Sequence, residues 1–543
     1  MKNKYLYKFI TIIFALLILL MAGGCSKATS FFDYNKEPQA VFKTINKAYL
    51  SINRVKTLNP VISKDKDAYY IGKLLYNSLF SLDDSLLAQN DLAASYTYDT
   101  NKKRIIIKIK NGIKWSNGDP LTVNDVKFSI DAYKNASYKK LGLYGSQVAN
   151  IKSVSVNGDD VTINYMNTND MSIENLTFPI ISQKQFKNIN EALKQNEKFI
   201  PVSSGPYFVD SYNPYAELDL KANTFYLGTK PENTLIFEVV PGNGEVLNMI
   251  EPNLLTVAFS ENITRDVDFA NLNSNIQSYI SNEVEWVGFN LNKVPFSNKI
   301  IRQAIAGSID TKGILESAYY GNGVLCDSIY YPGYWGIKNL GSIYKYDKTE
   351  AEILFKKAGY SDLNNDGVLE DKSGNKFIIN ILVNNDNKSR IAAANSIKMS
   401  LEQIKIQVNI VALDFESYNH SILNGSFDIY IGGSKMDENY DLRNLLKSNN
   451  GNPVGYKNKT IDKYLDQLKS GINNEEKVQI YNKLKTILSD EIPYYPLVYK
   501  TYGVVTSKAF NGKVNPMFNN IYAGAEKWSY NYEEPKSDSS TVN

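Results

Sequence analysis

Between residues 92 and 133 the alternation of apolar and polar positions changes period twice. Ile105, Ile107 and Ile109 alternate with Ile106, Lys108 and Lys110, the spacing of a half-buried strand, and Asn111-Gly112 marks a turn. Ile113-Lys114-Trp115 then reads as a second strand and Asn117-Gly118 as a second turn. Beyond Pro120, Thr122 stands three residues before Asp125, a helix-start pattern, and Val126, Ile130 and Tyr133 follow at helical spacing. The predicted order is strand, turn, strand, loop, helix. Upstream, Ile71, Leu74, Leu75 and Leu79 predict a helix. Downstream, Val154 and Val156, Asn157-Gly158, and Val161, Ile163 and Tyr165 predict a hairpin.

The second half has a different grammar. Phe377 to Val383 reads as a strand and Ile391, Ala394, Ile397, Leu401 and Ile404 as one helix face. Ile406, Val408 and Ile410 read as another strand. Strand, helix, strand implies a parallel pair. Phe427, Ile429 and Ile431 predict a further strand ending in Gly432-Gly433. In open α/β sheets ligands bind beyond the carboxyl ends of strands, so the following loop, residues 434–441, is where a ligand is expected. Tyr464, Leu465 and Leu468 belong to one late helix, and Val478, Tyr481, Leu484 and Leu488 to another.

At the other end, Lys2, Lys4 and Lys8 precede an apolar run from Phe9 to Met21 and the small residues Ala22-Gly23-Gly24 before Cys25. That is the layout of a cleaved secretory leader, and the run is short for a bilayer span. Residues 1–24 are therefore read as a signal peptide, 25–40 as a tether and 536–543 as a disordered tail.

Charge narrows the functional classes. The formal net charge is +3, but without the three leader lysines 57 basic residues face 57 acidic ones. A near-neutral chain of this kind argues against a nucleic-acid or anionic-surface binder. The 543 residues hold one histidine and two cysteines, so multi-histidine metal sites are excluded, and His420 reads as a surface or satisfied side chain. With Cys25 otherwise used, Cys326 has no disulfide partner and reads as a small packed hydrophobe. Asp362, Asn364, Asp366 and Gly367 are spaced like a calcium loop, but the twelfth position is Ser373 and a strand follows, so a plain Asx-rich turn is expected and no metal. Ser63-x-x-Lys66, Ser417-Tyr418-Asn419 and Lys469-Ser470-Gly471 fall in the order of a penicillin-recognising enzyme. The same short patterns recur elsewhere, at Ser137-x-x-Lys140, Lys372-Ser373-Gly374 and Ser529-Tyr530-Asn531, so chance accounts for them. No G-x-S-x-G, H-E-x-x-H or phosphate loop is present; no enzyme and no cofactor are expected.

The run from Leu92-Ala93 through residues 111–122, NGIKWSNGDPLT, to 124–129, NDVKFS, resembles the signature of the extracellular solute-binding proteins of family 5, the oligopeptide- and dipeptide-binding components of ABC importers. Leu58-Asn59-Pro60, Ser204-Gly205-Pro206-Tyr207, Gly288 to Asn290, Pro295-Phe296, Arg302-Gln303-Ala304-Ile305 and Pro493 to Leu497 continue the likeness from about residue 40 to about 530. The resemblance implies an α/β, two-lobed, periplasmic-binding-protein-like fold of type II with an extra domain in the first lobe. The first-lobe core would take 41–75, 197–275 and 505–535, the auxiliary domain 76–196 and the second lobe 276–504. It implies a monomer that captures a peptide and hands it to a permease driven by separate ATPase subunits. Gly-Gly-Cys resembles a lipobox, with Ala22 where leucine is commoner, which implies lipid on Cys25 and a place on the outer face of the cell membrane. By the family's spacing Asp437 would hold the peptide ammonium and Gly432, Gly433 and Ser434 would present main-chain groups. Glu438 and Asp441 would add charge, and Gly433, standing where an aromatic is usual, would widen the pocket. The same fold carrying a metal chelate, haem or oligosaccharide, or serving as a signalling-peptide receptor, is the alternative.

Overall fold

The computed structural model describes residues 42–240, 246–250, 254–261 and 274–533. The leader, Cys25, the tether and the tail lie outside the described residues. The larger of two compact units spans Ile45–Tyr530. In the smaller, Thr44 Oγ1 donates to Asn531 Oδ1 at 2.9 Å. Among the described residues no helix is long and apolar enough to cross a membrane.

The chain opens with β1 (Lys47–Ile52) and α1 (Lys66–Leu75). The helix stops short of Leu79. Tyr76 turns extended, and the Leu75 carbonyl accepts the N–H groups of Ser204 and Gly205 at 3.0 and 2.9 Å. Only glycine allows that approach, since a Cβ on Gly205 would stand 2.7 Å from the Leu74 carbonyl oxygen.

Next come β2 (Ala93–Asp99), β3 (Arg104–Ile109), α2 (Val123–Tyr138), β4 (Ile151–Asn157) and β5 (Asp160–Tyr165). The four strands form one antiparallel sheet in the order β2-β3-β5-β4. Ile105, Ile107 and Ile109 are buried as their alternation predicts. A capping box at Thr122 and Asp125 starts α2, which buries Val126, Ile130 and Tyr133. The predicted strand at Ile113–Trp115 does not form. The partner of β3 is β2, and the Trp115 N–H closes a turn on the Asp119 carbonyl at 2.8 Å, leaving its indole packed in the core.

The chain then supplies β6 (Tyr207–Asn213), β7 (Glu217–Ala222) and β8 (Thr234–Val239), which join β1 in the order β1-β8-β7-β6. The third sheet is larger. It takes β9 (Val257–Ser260), β10 (Ser274–Phe289), then, past α3 (Lys299–Gly307) and α4 (Lys348–Lys357), β11 (Ile378–Asn384), α5 (Lys388–Glu402) and β12 (Gln407–Leu413). After α6 (Phe415–Leu423) come β13 (Ile429–Lys435), α7 (Lys459–Leu468), α8 (Asn474–Glu491) and β14 (Tyr494–Ser507). The strand order is β9-β14-β10-β13-β11-β12, with β11 and β12 parallel in the predicted βαβ unit.

Two lobes follow from where the apolar side chains collect. One core joins Leu50, Ile71, Trp115, Tyr133, Phe178 and Phe237 to Ile521, Tyr522 and Trp528 from the end of the chain. A second joins Phe289, Ile305, Ile381, Ile397, Ile431 and Tyr495, flanked by an aromatic cluster of Trp286, Tyr330, Tyr334, Tyr440, Tyr481 and Tyr499. The strand β14 serves both, with Val504 in the first core and Val498 in the second. Cys326 is packed within the aromatic cluster, and burial pushes its thiol far above the ordinary range. His420 lies exposed on α6 beside Asn424.

One ion pair ties α8 to the first half of the chain. Lys477 Nζ lies 2.7 and 2.9 Å from the two carboxylate oxygens of Glu174, and both side chains are fully buried. Burial pushes the Glu174 carboxyl up, but the Lys477 charge outweighs it and the net shift is downward. Replacing Lys477 with Ala strands a buried carboxylate and is expected to cost about 3 to 5 kcal/mol in urea denaturation, with a smaller loss in a Glu174→Met, Lys477→Met double variant. A depressed carboxyl contributes stability above the ordinary glutamate range and loses it as pH falls through the folded value. The wild-type advantage over the double variant is therefore expected to shrink in acid.

Candidate functional site

The strands shared by the two lobes carry a row of alternating charges. Glu283 on β10 meets Lys435 on β13 at 2.8 Å, and on β14 Lys500 at 3.0 Å and the Tyr502 hydroxyl at 2.6 Å. Two residues on, Glu285 is held by Arg390 of α5 at 2.8 Å and Lys500 at 3.3 Å. Lys435 also reaches Glu261 at 3.2 Å, and Glu261 pairs with Lys66 of α1. Burial opposes the charge on Glu283, but Lys435, Tyr502 and Lys500 together hold its carboxyl down at about 2. Lys66 and Glu261 line a cavity of about 570 Å³ beside α1, with Arg54, Asp65, Asp67 and Tyr70 also in its wall.

The structure places the sequence-predicted residues along the end of β13 and the loop beyond it. The strand does not end at Gly432-Gly433; it runs to Lys435, with Gly432 opposite Trp286 and Gly433 opposite Glu285. Room gained at Gly433 is taken from across the ladder, because a Cβ there would lie 2.8 Å from the Glu285 carboxyl carbon. On the other side, β11 pairs only with Ile429 and Tyr430. Among the described residues β13 from Ile431 onward therefore has a strand partner on one edge only, and Ser434 is exposed.

Asp437 is exposed, and its carboxylate makes no hydrogen bond or ion pair with a described residue. Its carbonyl accepts the Tyr440 N–H at 3.0 Å, and the loop is anchored by buried Met436, whose N–H donates to the Asn282 carbonyl at 2.9 Å. Glu438 faces Lys73 of α1 at 3.5 Å. Asn439 accepts Lys469 Nζ on its carbonyl at 2.9 Å and donates its side-chain amide to Asn175 at 3.0 Å. The Asp441 carboxylate is taken by Arg443 Nε at 2.9 Å, and Arg443 reaches on to Asp170 at 2.6 Å. Of the three acidic side chains predicted for the site, Asp441 is ion-paired with Arg443, Glu438 lies partly buried 3.5 Å from Lys73, and Asp437 has no cationic partner among the described residues.

Lys73, Asn175 and Arg443, which complete this face, escape sequence reasoning. Lys73 sits among the apolar positions of α1 like any solvated lysine, and nothing local couples it to Glu438. Ser63 and Lys66 show no nucleophile geometry either: the Ser63 hydroxyl accepts the Asp65 N–H, and Lys66 is spent on Glu261.

Three comparisons bear on this arrangement. The family model described as bacterial extracellular solute-binding proteins, family 5 Middle, matches residues 88–453. The oligopeptide-binding protein AppA of Bacillus subtilis strain 168 is 26% identical over 497 residues, covering 88% of this chain and 90% of its own. The solved structure of Bacillus subtilis AppA in complex with a nonapeptide aligns at a TM-score of 0.58 with 23% identity, over 90% of this chain and 99% of that one. Campylobacter jejuni NikZ in complex with Ni(L-His) aligns at 0.61 with 21% identity, over 89% and 99%. Relatives of this fold thus hold chemically different ligands.

Burial pushes the Glu438 carboxyl up to about 8 and the Lys73 ammonium down to about 8, the latter partly restored by the charge of Asp91. Glu438 Oε1 makes no hydrogen bond. A carboxyl raised this way binds its proton more tightly folded than unfolded, so its contribution to stability falls as pH rises from the ordinary glutamate value to about 8. Infrared spectra of the ligand-free protein at about pH 7 are expected to contain a protonated-carboxyl band that fades as pH rises through about 8 and is missing in Glu438→Gln. A band unaffected by the substitution would contradict the assignment.

Proposed function

This chain belongs to the bacterial extracellular solute-binding proteins of family 5, and from that premise we propose that it is the lipid-anchored receptor of a peptide ABC importer. On this reading the first lobe takes residues 41–75, 197–275 and 505–535, the auxiliary domain 76–196 and the second lobe 276–504. Two acyl chains on the Cys25 lipid would hold the protein at the outer face of the cell membrane, because each buried methylene contributes about 0.8 kcal/mol. The receptor works as a monomer, and ATP hydrolysis belongs to separate subunits beneath the permease.

One observation supports a peptide above other ligands. Beyond Ile431, whose carbonyl accepts the Tyr418 hydroxyl, the edge of β13 has no strand partner among the described residues and leads to the Asp437 carboxylate, which has no partner among them either. An extended peptide adds as a strand, its main chain bonding to Gly432, Gly433 and Ser434, while its terminal ammonium lies against Asp437. Main-chain pairing disregards side-chain identity, so specificity is broad. The carboxylate is required because a cation enclosed between lobes without a counter-ion is costly. Ligand binding favours the closed arrangement of the lobes, and the permease recognises that arrangement.

Peptides eluted from the purified protein and resynthesised with a free or an acetylated N-terminus test this by calorimetry. Acetylation and Asp437→Ala are each expected to weaken binding at least about 30-fold, with little further loss when combined. Equal affinity for both peptides, or an unaffected Asp437→Ala protein, would reject the clamp.

A further inference from the structure

The loop joining α4 to β11 carries chemistry that ligand capture does not use. Asp362, Asp366 and Glu370 each bring one carboxylate oxygen to within 4.8 Å of the others. Glu370 is 1% exposed; its Oε2 accepts the Leu363 N–H at 2.8 Å, but its Oε1 has no hydrogen-bond partner. The Asp362 Oδ1 atom is buried and unpartnered as well. Two buried carboxylate oxygens without a protein partner in one such group are costly unless a cation or an ordered water meets them, and only a cation also offsets their charge.

Neighbouring lysines do not meet that need. Lys405 Nζ sits 2.9 Å from Asp362 Oδ2 and Lys376 Nζ 2.7 Å from Asp366 Oδ2. Both lysines are about half exposed, and both pair with an Oδ2 atom, not with Asp362 Oδ1 or Glu370 Oε1. The backbone is wound around the group. Asn364 Oδ1 accepts the Asp366 N–H at 2.9 Å, Asp366 Oδ1 accepts the Val368 N–H at 3.0 Å, and Gly367 turns the chain at φ +86°.

We propose that Asp362, Asp366 and Glu370, with the side-chain oxygen of Asn364, bind a calcium-sized divalent cation. The ninth position of the loop, Glu370, takes the part that the twelfth position, Ser373, cannot. Oxygen atoms spread over this span suit the long, irregular coordination of calcium better than the tight octahedron of magnesium. The site is structural. Leu369 donates to the Lys405 carbonyl at 2.7 Å, so a cation here fastens the α4–β11 loop to the turn that leads into β12.

The test uses the whole chelator-treated protein titrated with calcium chloride in a calorimeter and in a melting assay. Binding is expected with a dissociation constant of about 10⁻⁴ to 10⁻³ M, the range of extracellular calcium modules, together with a rise in melting temperature and weaker binding of magnesium. Asp366→Asn and Glu370→Gln are each expected to weaken calcium binding about tenfold or more. If Glu370→Gln fails to fold, Asp366→Asn, at an exposed position, carries the test alone. Absence of both heat and melting shift up to about 10 mM calcium, or an Asp366→Asn titration equal to wild type, would overturn the proposal.

Discussion

The pairing of β10 with β14 is the constraint on which the molecule depends. Ser274 to Ile280 pair with Thr501 to Ser507 near the first core, and Val284 to Gly288 pair with Tyr494 to Tyr499 in the second. Between these stretches the register slips, so that Ser281, Asn282 and Glu283 stand against Lys500 alone. A bulge bends and twists a strand locally. This one falls where the chain leaves one core for the other, and it turns Glu283 toward Lys435, Lys500 and Tyr502. The strands that run through both cores thus also carry this row of paired charges.

The charges carried by these strands are compensated in pairs. Glu283, Glu285 and Asp441 each have a cationic partner within about hydrogen-bonding reach, and Lys66 and Lys435 share Glu261. Pairing offsets part of the desolvation cost of each enclosed charge. Among the described residues Asp437 and the edge of β13 stand apart from this scheme, one a carboxylate with no hydrogen-bond donor and the other main chain with no strand beside it. The family assignment sets the class of protein and leaves the ligand open, as the nonapeptide in the AppA structure and the Ni(L-His) in the NikZ structure indicate.

How much could be read beforehand depended on distance along the chain. The β4–β5 hairpin, the Thr122–Asp125 box and the β11-α5-β12 unit were legible because turn residues, caps and periodicity are local. Ile113–Trp115 misled because its apolar alternation serves packing of the Trp115 indole, while its backbone is satisfied by a turn. Gly432-Gly433 looked like a strand end, yet the pair continues β13 because Glu285 on the neighbouring strand needs the space a side chain would fill. The Glu438–Lys73 and Arg443–Asp170 contacts join segments far apart in sequence, and no pattern within either segment foretold them.

Native mass spectrometry of the protein purified without denaturation tests the central claim most directly. The account predicts a ladder of bound masses that fragment as peptides of varied sequence and are depleted in Asp437→Ala. A single bound mass that is not a peptide would contradict it.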